Sequence, residues 1–268
     1  QFGSDDRMLT KANSLKGYSL NGLDGTLGTV EEFHFDDLHW TIRYLVAETG
    51  DWLSDRKVLI SPYALNFVDN DKRSVSVDLT WKQIEESPRL EDKEPLTREF
   101  EESYHAHFGW PGYWDGPYAW GALPYLLLQA GKKAYTALSP KRPKDPHLRS
   151  TADMTGLVVH AIDGEIGRIV DFIIDDNSWS IRYLIVDSGP WWHGRRILIS
   201  PKWLDRIDWN ESKAFLKFSR DTIRSAPEYV EVPLVSREYE NRLHDHYLRK
   251  GYWVEEDDDG IEGKKTSF

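Results

Sequence analysis

The side chains best suited to chemistry in this sequence come in pairs. His105 and His107 form one His-x-His, and His244 and His246 form another. Imidazoles at i and i+2 share a face on a β-strand and could chelate a metal there. On a helix they point about 200° apart, and chelation fails. Leu96, Phe100, Tyr104 and Phe108 recur at helical spacing around the first pair. A helix and a structural role are therefore expected, with metal binding as the lesser alternative. Asp36-Asp37 and Asp175-Asp176 are paired carboxylates. Such pairs can divide acid and base roles when burial separates their pKa values, but sequential carboxylates ahead of an apolar run read as turns. Arg43 and Arg182 lie inside apolar runs, where a charge must be paired. Glu48 and Asp187, Asp24 and Asp163, or an interface are their candidate partners.

Trp52 with Arg56, and Trp191 with Arg195, surround one loop in each half of the chain. Trp and Arg are enriched at binding hot spots, which makes these four interaction candidates; the alternative is a loop pinned to its own domain. Tyr113, Trp114, Tyr252 and Trp253 join them as interaction candidates. No phosphate-binding glycine loop, G-x-S-x-G elbow or H-E-x-x-H motif occurs. The chain has no cysteine, which excludes disulfides, thiolate metal sites and a cysteine nucleophile. No catalytic residue is assigned, no cofactor is expected, and a non-enzymatic role is the expectation.

The pairing of these residues follows from an internal repeat. Gly17 to Pro62 aligns with Gly156 to Pro201 at a constant offset of 139, with 19 of 46 positions identical and no gap. After a one-residue slip near residue 94 the offset returns. Arg98-Glu99-Phe100-Glu101 then matches Arg237-Glu238-Tyr239-Glu240, and Gly112-Tyr113-Trp114 matches Gly251-Tyr252-Trp253. Within each copy, Asp24-Gly25 and Asp163-Gly164 mark hairpin turns. Runs near Tyr18, Gly28–Phe35, Trp40–Glu48, Arg56–Ile60, Asn66–Val68 and Ser74–Leu79 read as strands. Trp81–Glu86 reads as a short helix ended before Pro88, and 96–108 as a longer one. Short strands with frequent turns predict a mainly β fold: two small closed or partly open antiparallel β-barrels, each with a C-terminal helical extension. The division expected is 8–108 for the first repeat, 109–150 for an aromatic and proline-rich linker, 151–254 for the second repeat and 255–268 for an acidic tail.

A formal net charge of −11 argues against nucleic acid as a partner. No apolar run is long enough to span a bilayer. Gln1–Arg7 lacks the basic-then-apolar pattern of a signal peptide, so a cytoplasmic, soluble protein is the expectation.

Several motifs carry a family resemblance: Asp24-Gly25-x-x-Gly28, Asp36-Asp37, Trp40-x-Ile42-Arg43-Tyr44-Leu45, Gly50-x-Trp52 and Val58-Leu59-Ile60-Ser61-Pro62, repeated from Asp163 to Pro201. This pattern resembles the PRC-barrel family, including the cytoplasmic domain of the photosynthetic reaction-centre H subunit and stand-alone bacterial members. The resemblance covers most of the chain. It implies roles in docking on other proteins: a non-catalytic interaction or assembly module, with an unidentified protein or a second copy as partner. The alternative is a small-ligand or metal sensor using the His-x-His stretches or a cleft between barrels.

Overall fold

A computed structural model describes residues 9–53, 56–89, 96–115, 147–189, 194–230 and 235–254. In chain order it begins with β1 (Leu9–Lys11), α1 (Ala12–Leu15), β2 (Ser19–Asn21), β3 (Thr26–Asp36) and β4 (Thr41–Glu48). Next come β5 (Lys57–Ile60), β6 (Leu65–Asp69), β7 (Ser74–Val77), α2 (Trp81–Glu85) and α3 (Arg98–Phe108). The second series is β8 (Leu148–Ser150), α4 (Thr151–Met154), β9 (Val158–Ala161), β10 (Gly164–Asp175) and β11 (Ile181–Asp187). It closes with β12 (Arg196–Ile199), β13 (Leu204–Asp208), β14 (Lys213–Leu216), α5 (Arg220–Arg224) and α6 (Arg237–His246). The fold is mainly β, and none of the described helices is long and apolar enough to cross a membrane.

The chain divides into two compact units. The first holds Ala12–Met154 with Ser178–Ile181; the second holds Gln1–Lys11, Thr155–Asn177 and Arg182–Phe268. The first unit's sheet has the order β5-β4-β3-β2-β7-β6, with β8 added beside β3. The second repeats it as β12-β11-β10-β9-β14-β13, with β1 added beside β10. Each sheet thus takes one short strand from the segment that leads into the other repeat.

The all-antiparallel arrangement expected from sequence needs correction. β2 pairs with β7, and β9 with β14, in parallel. The hairpin from β6 turns β7 to run the same way as β2, and the corresponding hairpin does so for β14. The pairing path is open: β5 and β6 lie at its ends in the first unit, as β12 and β13 do in the second.

β3 is long and kinked. Register shifts at Val30/Glu32 and His34/Phe35 move its buried positions to Leu27, Val30, Phe33 and Phe35, off strict alternation. β4 is buried on both faces from Thr41 to Ala47. That explains why Ile42-Arg43-Tyr44-Leu45-Val46-Ala47 reads as a continuous run instead of alternating.

Gly28 allows β3 to start close to the end of β4. Its φ is +148°, and a Cβ there would lie 2.1 Å from the Glu48 carbonyl oxygen. Gly167 repeats this at φ +152°, 2.1 Å from the Asp187 oxygen. The last glycine of Asp-Gly-x-x-Gly is therefore set by a close approach of two strands. The aspartate of the same motif holds a helix start: Asp24 Oδ1 accepts from Trp81 N at 2.9 Å, and Asp163 Oδ1 from Arg220 N at 2.8 Å.

Candidate functional site

The long helix of each unit presents a polar stripe to its own sheet. Thr97 caps α3 by accepting from Phe100 N, and Ser236 caps α6 by accepting from Tyr239 N. In α3, Arg98, Glu101 and His105 share the inner face at helical spacing, and all three are buried. They meet Tyr44 from β4 and Tyr113 from the turn after the helix.

The Tyr44 hydroxyl lies 2.8 Å from Glu101 Oε1 and 2.8 Å from His105 Nε2. Tyr113 donates to the same Glu101 oxygen at 2.7 Å, and Arg98 Nη1 lies 3.2 Å from Oε2. His105 Nδ1 donates to the Pro111 carbonyl at 3.0 Å. The second unit builds the same network. Tyr183 lies 2.9 Å from both Glu240 and His244, Tyr252 lies 2.9 Å from Glu240, Arg237 lies 2.8 Å from Glu240, and His244 Nδ1 lies 3.0 Å from the Lys250 carbonyl.

Proton accounting constrains this cluster. A carbonyl cannot donate, so His105 Nδ1 carries a hydrogen, and a neutral ring then leaves Nε2 as an acceptor. Tyr44 has one proton for two neighbours, Nε2 and Oε1. Burial pushes the His105 ring down to about 4, so the ring is neutral near pH 7. In the second unit, burial likewise lowers His244 and raises the Glu240 carboxyl against the pull of Arg237. Burial also holds Tyr44 and Tyr183 well above the ordinary phenol range, so both keep their protons.

An aromatic shell closes the network, and the two units build it differently. In the first, Trp110 stands edge-on to His105 at 5.7 Å and stacks on Phe108 at 4.3 Å. In the second, the position matching Trp110 is Arg249. There Trp203 stands edge-on to His244 at 5.1 Å and lies 4.6 Å from Tyr247. The position matching Trp203 in the first unit is Ala64. The indole thus comes from just after the long helix in one unit and from the turn just before β13 in the other. Beside it, the second unit has a groove lined by Asn241, Asp245, Leu248, Arg249, Lys250 and Trp253.

The histidine pairs fall on helices and diverge. His105 enters the network, whereas His107 Nε2 reaches the Gln83 carbonyl at 2.9 Å. His244 and His246 divide in the same way, with His246 on Thr222 O at 2.8 Å. Among the described residues no group of three His, Asp or Glu side chains gathers to hold a metal.

Arg43 pairs with Asp36 Oδ2 at 2.8 Å and lies over the Tyr113 ring at 4.2 Å. Arg182 pairs with Asp175 at 2.8 Å and covers Tyr252 at 3.9 Å. These partners correct the candidates Glu48, Asp187, Asp24 and Asp163: the turn carboxylate at the end of β3 lies across from the arginine on β4. Asp36 and Asp37 have split environments. Burial would raise Asp36, yet hydrogen bonds from Arg43 and His39 bring it below the usual range. Burial prevails at Asp37 and raises it, although His147 Nδ1 lies 2.7 Å away and Arg149 Nε 3.3 Å away. Each carboxylate is committed to an ion pair.

The loop residues are also engaged. Arg56 Nη2 donates to the carbonyls of Ser87 at 2.8 Å and Pro88 at 2.7 Å, closing the end of α2. Arg195 does the same toward Ala226 at 2.8 Å. Trp52 Nε1 donates to the Leu27 carbonyl at 3.0 Å, and its ring stacks on Trp81 at 5.2 Å. Trp191 lies outside the described residues. Tyr113 and Tyr252 are buried within their own units. Trp114 and Trp253 are half-buried. Their indoles fold back on Gly112 and Gly251, where a Cβ would lie 2.5 and 2.2 Å from the ring; this explains the Gly-Tyr-Trp repeat.

Trp81 remains 42% exposed, next to Leu23 at 65% on the adjoining hairpin. Sequence reasoning did not single out either residue, because their counterparts Ile162 and Arg220 share only part of their character. Searches against protein-family models and against curated proteins find no match for this chain.

Proposed function

We propose that this chain is a non-catalytic interaction or assembly module built from a duplicated domain of PRC-barrel type. The observation that carries the reading is the aromatic surface of the first unit. Trp52 and Trp81 stack there beside the exposed Leu23 on a hairpin anchored by Asp24. A stacked tryptophan pair with an open face supplies a large, rigid contact area at small entropic cost, the type of anchor that dominates protein–protein binding. The duplicated network supports the same reading. Its Tyr, Glu and His groups face one another under an aromatic shell, as parts of a scaffold. The PRC-barrel assignment is supported by the six-strand path found in both units and by the matching motifs.

The test exchanges the surface without disturbing the scaffold. A variant with Leu23→Ser and Trp81→Arg imports at position 81 the residue that stands at the matching place in the second unit. Affinity capture with quantitative mass spectrometry should show a partner retained by the parent and depleted by at least about tenfold in the variant, the loss of one hot-spot anchor. Equal capture by both proteins at equal melting temperature would remove this surface as the basis of function.

A second reading, a small-ligand sensor, draws on the groove lined by Arg249, Lys250 and Trp253. It requires a ligand-dependent rise in melting temperature that is lost in an Arg249→Ala variant.

A further inference from the structure

The exchanged strands carry more information than their length suggests. β8 pairs with β3 in the register Leu148–Asp36, Arg149–Phe35, Ser150–His34. β1 pairs with β10 as Leu9–Asp175, Thr10–Ile174, Lys11–Ile173. Position by position these are the same contact at the 139-residue offset, with the two repeats reversed. Each repeat therefore places its lead-in strand in the sheet of the other.

The edge of β3 recognises its strand through side chains as well as backbone. Asp37 N donates to the His147 carbonyl at 2.9 Å, and the Asp37 carboxylate hydrogen-bonds to His147 Nδ1 and pairs with Arg149. The Ser150 hydroxyl bonds to Glu32, and Phe33 N donates to Thr151 Oγ1 at 3.4 Å. Met154, at the end of α4, is fully buried. On β10, Leu9, the counterpart of Leu148, is buried, and Leu15, the counterpart of Met154, is buried as well.

We infer that the edge of β3 from Glu32 to Asp37, with its counterpart on β10, is a strand-accepting surface whose partner is a second copy of this chain, engaged by reciprocal exchange of β8 and β1. The choice of occupant follows from the fit. The acceptor is matched to this chain's own segment 147–154, so a second copy offers every contact already made internally, and none has to be invented. When the closed and exchanged forms share their contacts, their balance is set mainly by protein concentration. Residues 116–146 separate the donor segment from the preceding repeat in the sequence. This inference does not depend on the tryptophan surface.

The experiment uses full-length protein, isotopically heavy and light, mixed at about millimolar concentration, incubated and then diluted for native mass spectrometry. Mixed heavy–light dimers are expected. Hydrogen bonds alternate along an antiparallel pair, so the bond at Asp37–His147 places Arg149 N–H on the bonded side, and Thr10 at the equivalent place on β1. Thr10→Pro with Arg149→Pro should reduce mixed dimers by about tenfold or more: proline cannot donate, the strands leave both acceptor edges, and the exchanged dimer loses the pairing that joins its copies.

A second variant covers the case in which the prolines prevent folding. Asp37→Asn removes the same Arg149 ion pair from closed and exchanged forms. It should leave the equilibrium dimer fraction unchanged while speeding interconversion by about fivefold. No mixed dimer at millimolar concentration would overturn the inference. So would equal dimer in a folded proline variant, or a dimer fraction that falls with Asp37→Asn at unchanged rate; that last result would mark an ordinary surface contact.

Discussion

Replacing His105 by Gln should flatten the acid sensitivity of the first unit. In the folded protein, burial holds the ring down to about 4, whereas a free imidazole titrates near about 6.5. A lowered histidine favours the folded state only while the ring stays neutral. Its contribution is thus complete above about pH 6.5 and is lost as pH falls through about 4. The difference is worth about 3 kcal/mol between those limits, a large part of the stability of a small domain. Glu32 acts in a lower range. His34 and Ser150, working against burial, hold it down to about 2, so its stabilisation persists until the pH falls below about 4.5. The raised Glu240 carboxyl acts in the opposite sense in the second unit: its contribution is present in acid and is lost as pH rises through its elevated pKa. Urea unfolding at pH 7, 6, 5 and 4, read by hydrogen exchange in β4 peptides, isolates the first unit. The parent should lose about 3 kcal/mol more than the His105→Gln variant across that range. Equal losses would refute a buried neutral ring.

Glu101→Ala should cost about 3 kcal/mol or more, because Tyr44, Tyr113 and Arg98 lose the buried acceptor they share. Denaturation curves of parent and variant check this, and a loss below about 1 kcal/mol would refute it. Gly28→Ala should cost about 3 kcal/mol or prevent folding, since the new methyl meets the Glu48 carbonyl oxygen at 2.1 Å; a melting temperature within a few degrees of the parent would show that the strands can part. Arg56→Ala should leave the carbonyls of Ser87 and Pro88 without their donor and lower stability by about 1–3 kcal/mol, with hydrogen exchange rising first in α2.

The strands, the hairpins and the helical placement of both His-x-His pairs were legible in the sequence, because they depend on local period and turn chemistry. Long-range partners were not. Arg43 announced a need for a carboxylate, but Asp36 becomes its neighbour only through the register of β3 on β4. The Tyr44–Glu101–His105 network leaves a trace in the repeat, since each member recurs at the 139 offset, although nothing local marks these residues as a set. β1 and β8 escaped notice because three-residue strands carry too little pattern and share only their leucine, Leu9 with Leu148. The aromatic plug was hidden for another reason: it sits at Trp110 in one copy and Trp203 in the other, and an alignment column cannot show a role that has changed column.

That displaced plug constrains how the two halves could have diverged. Starting from either arrangement, a single substitution gives a domain with two indoles competing for one space or with none filling it. Trp beside Trp would overpack the interior, and Ala opposite Arg would leave a void the size of a ring system; each costs several kcal/mol. A viable route from one to the other needs paired changes or a tolerant intermediate side chain. The halves have therefore ceased to be interchangeable parts. A chimera that transplants the 98–115 segment into the second copy in place of 237–254 should fail unless Trp203 is reduced to alanine at the same time, so the history of the duplication is recorded as a dependence between two positions far apart in the chain.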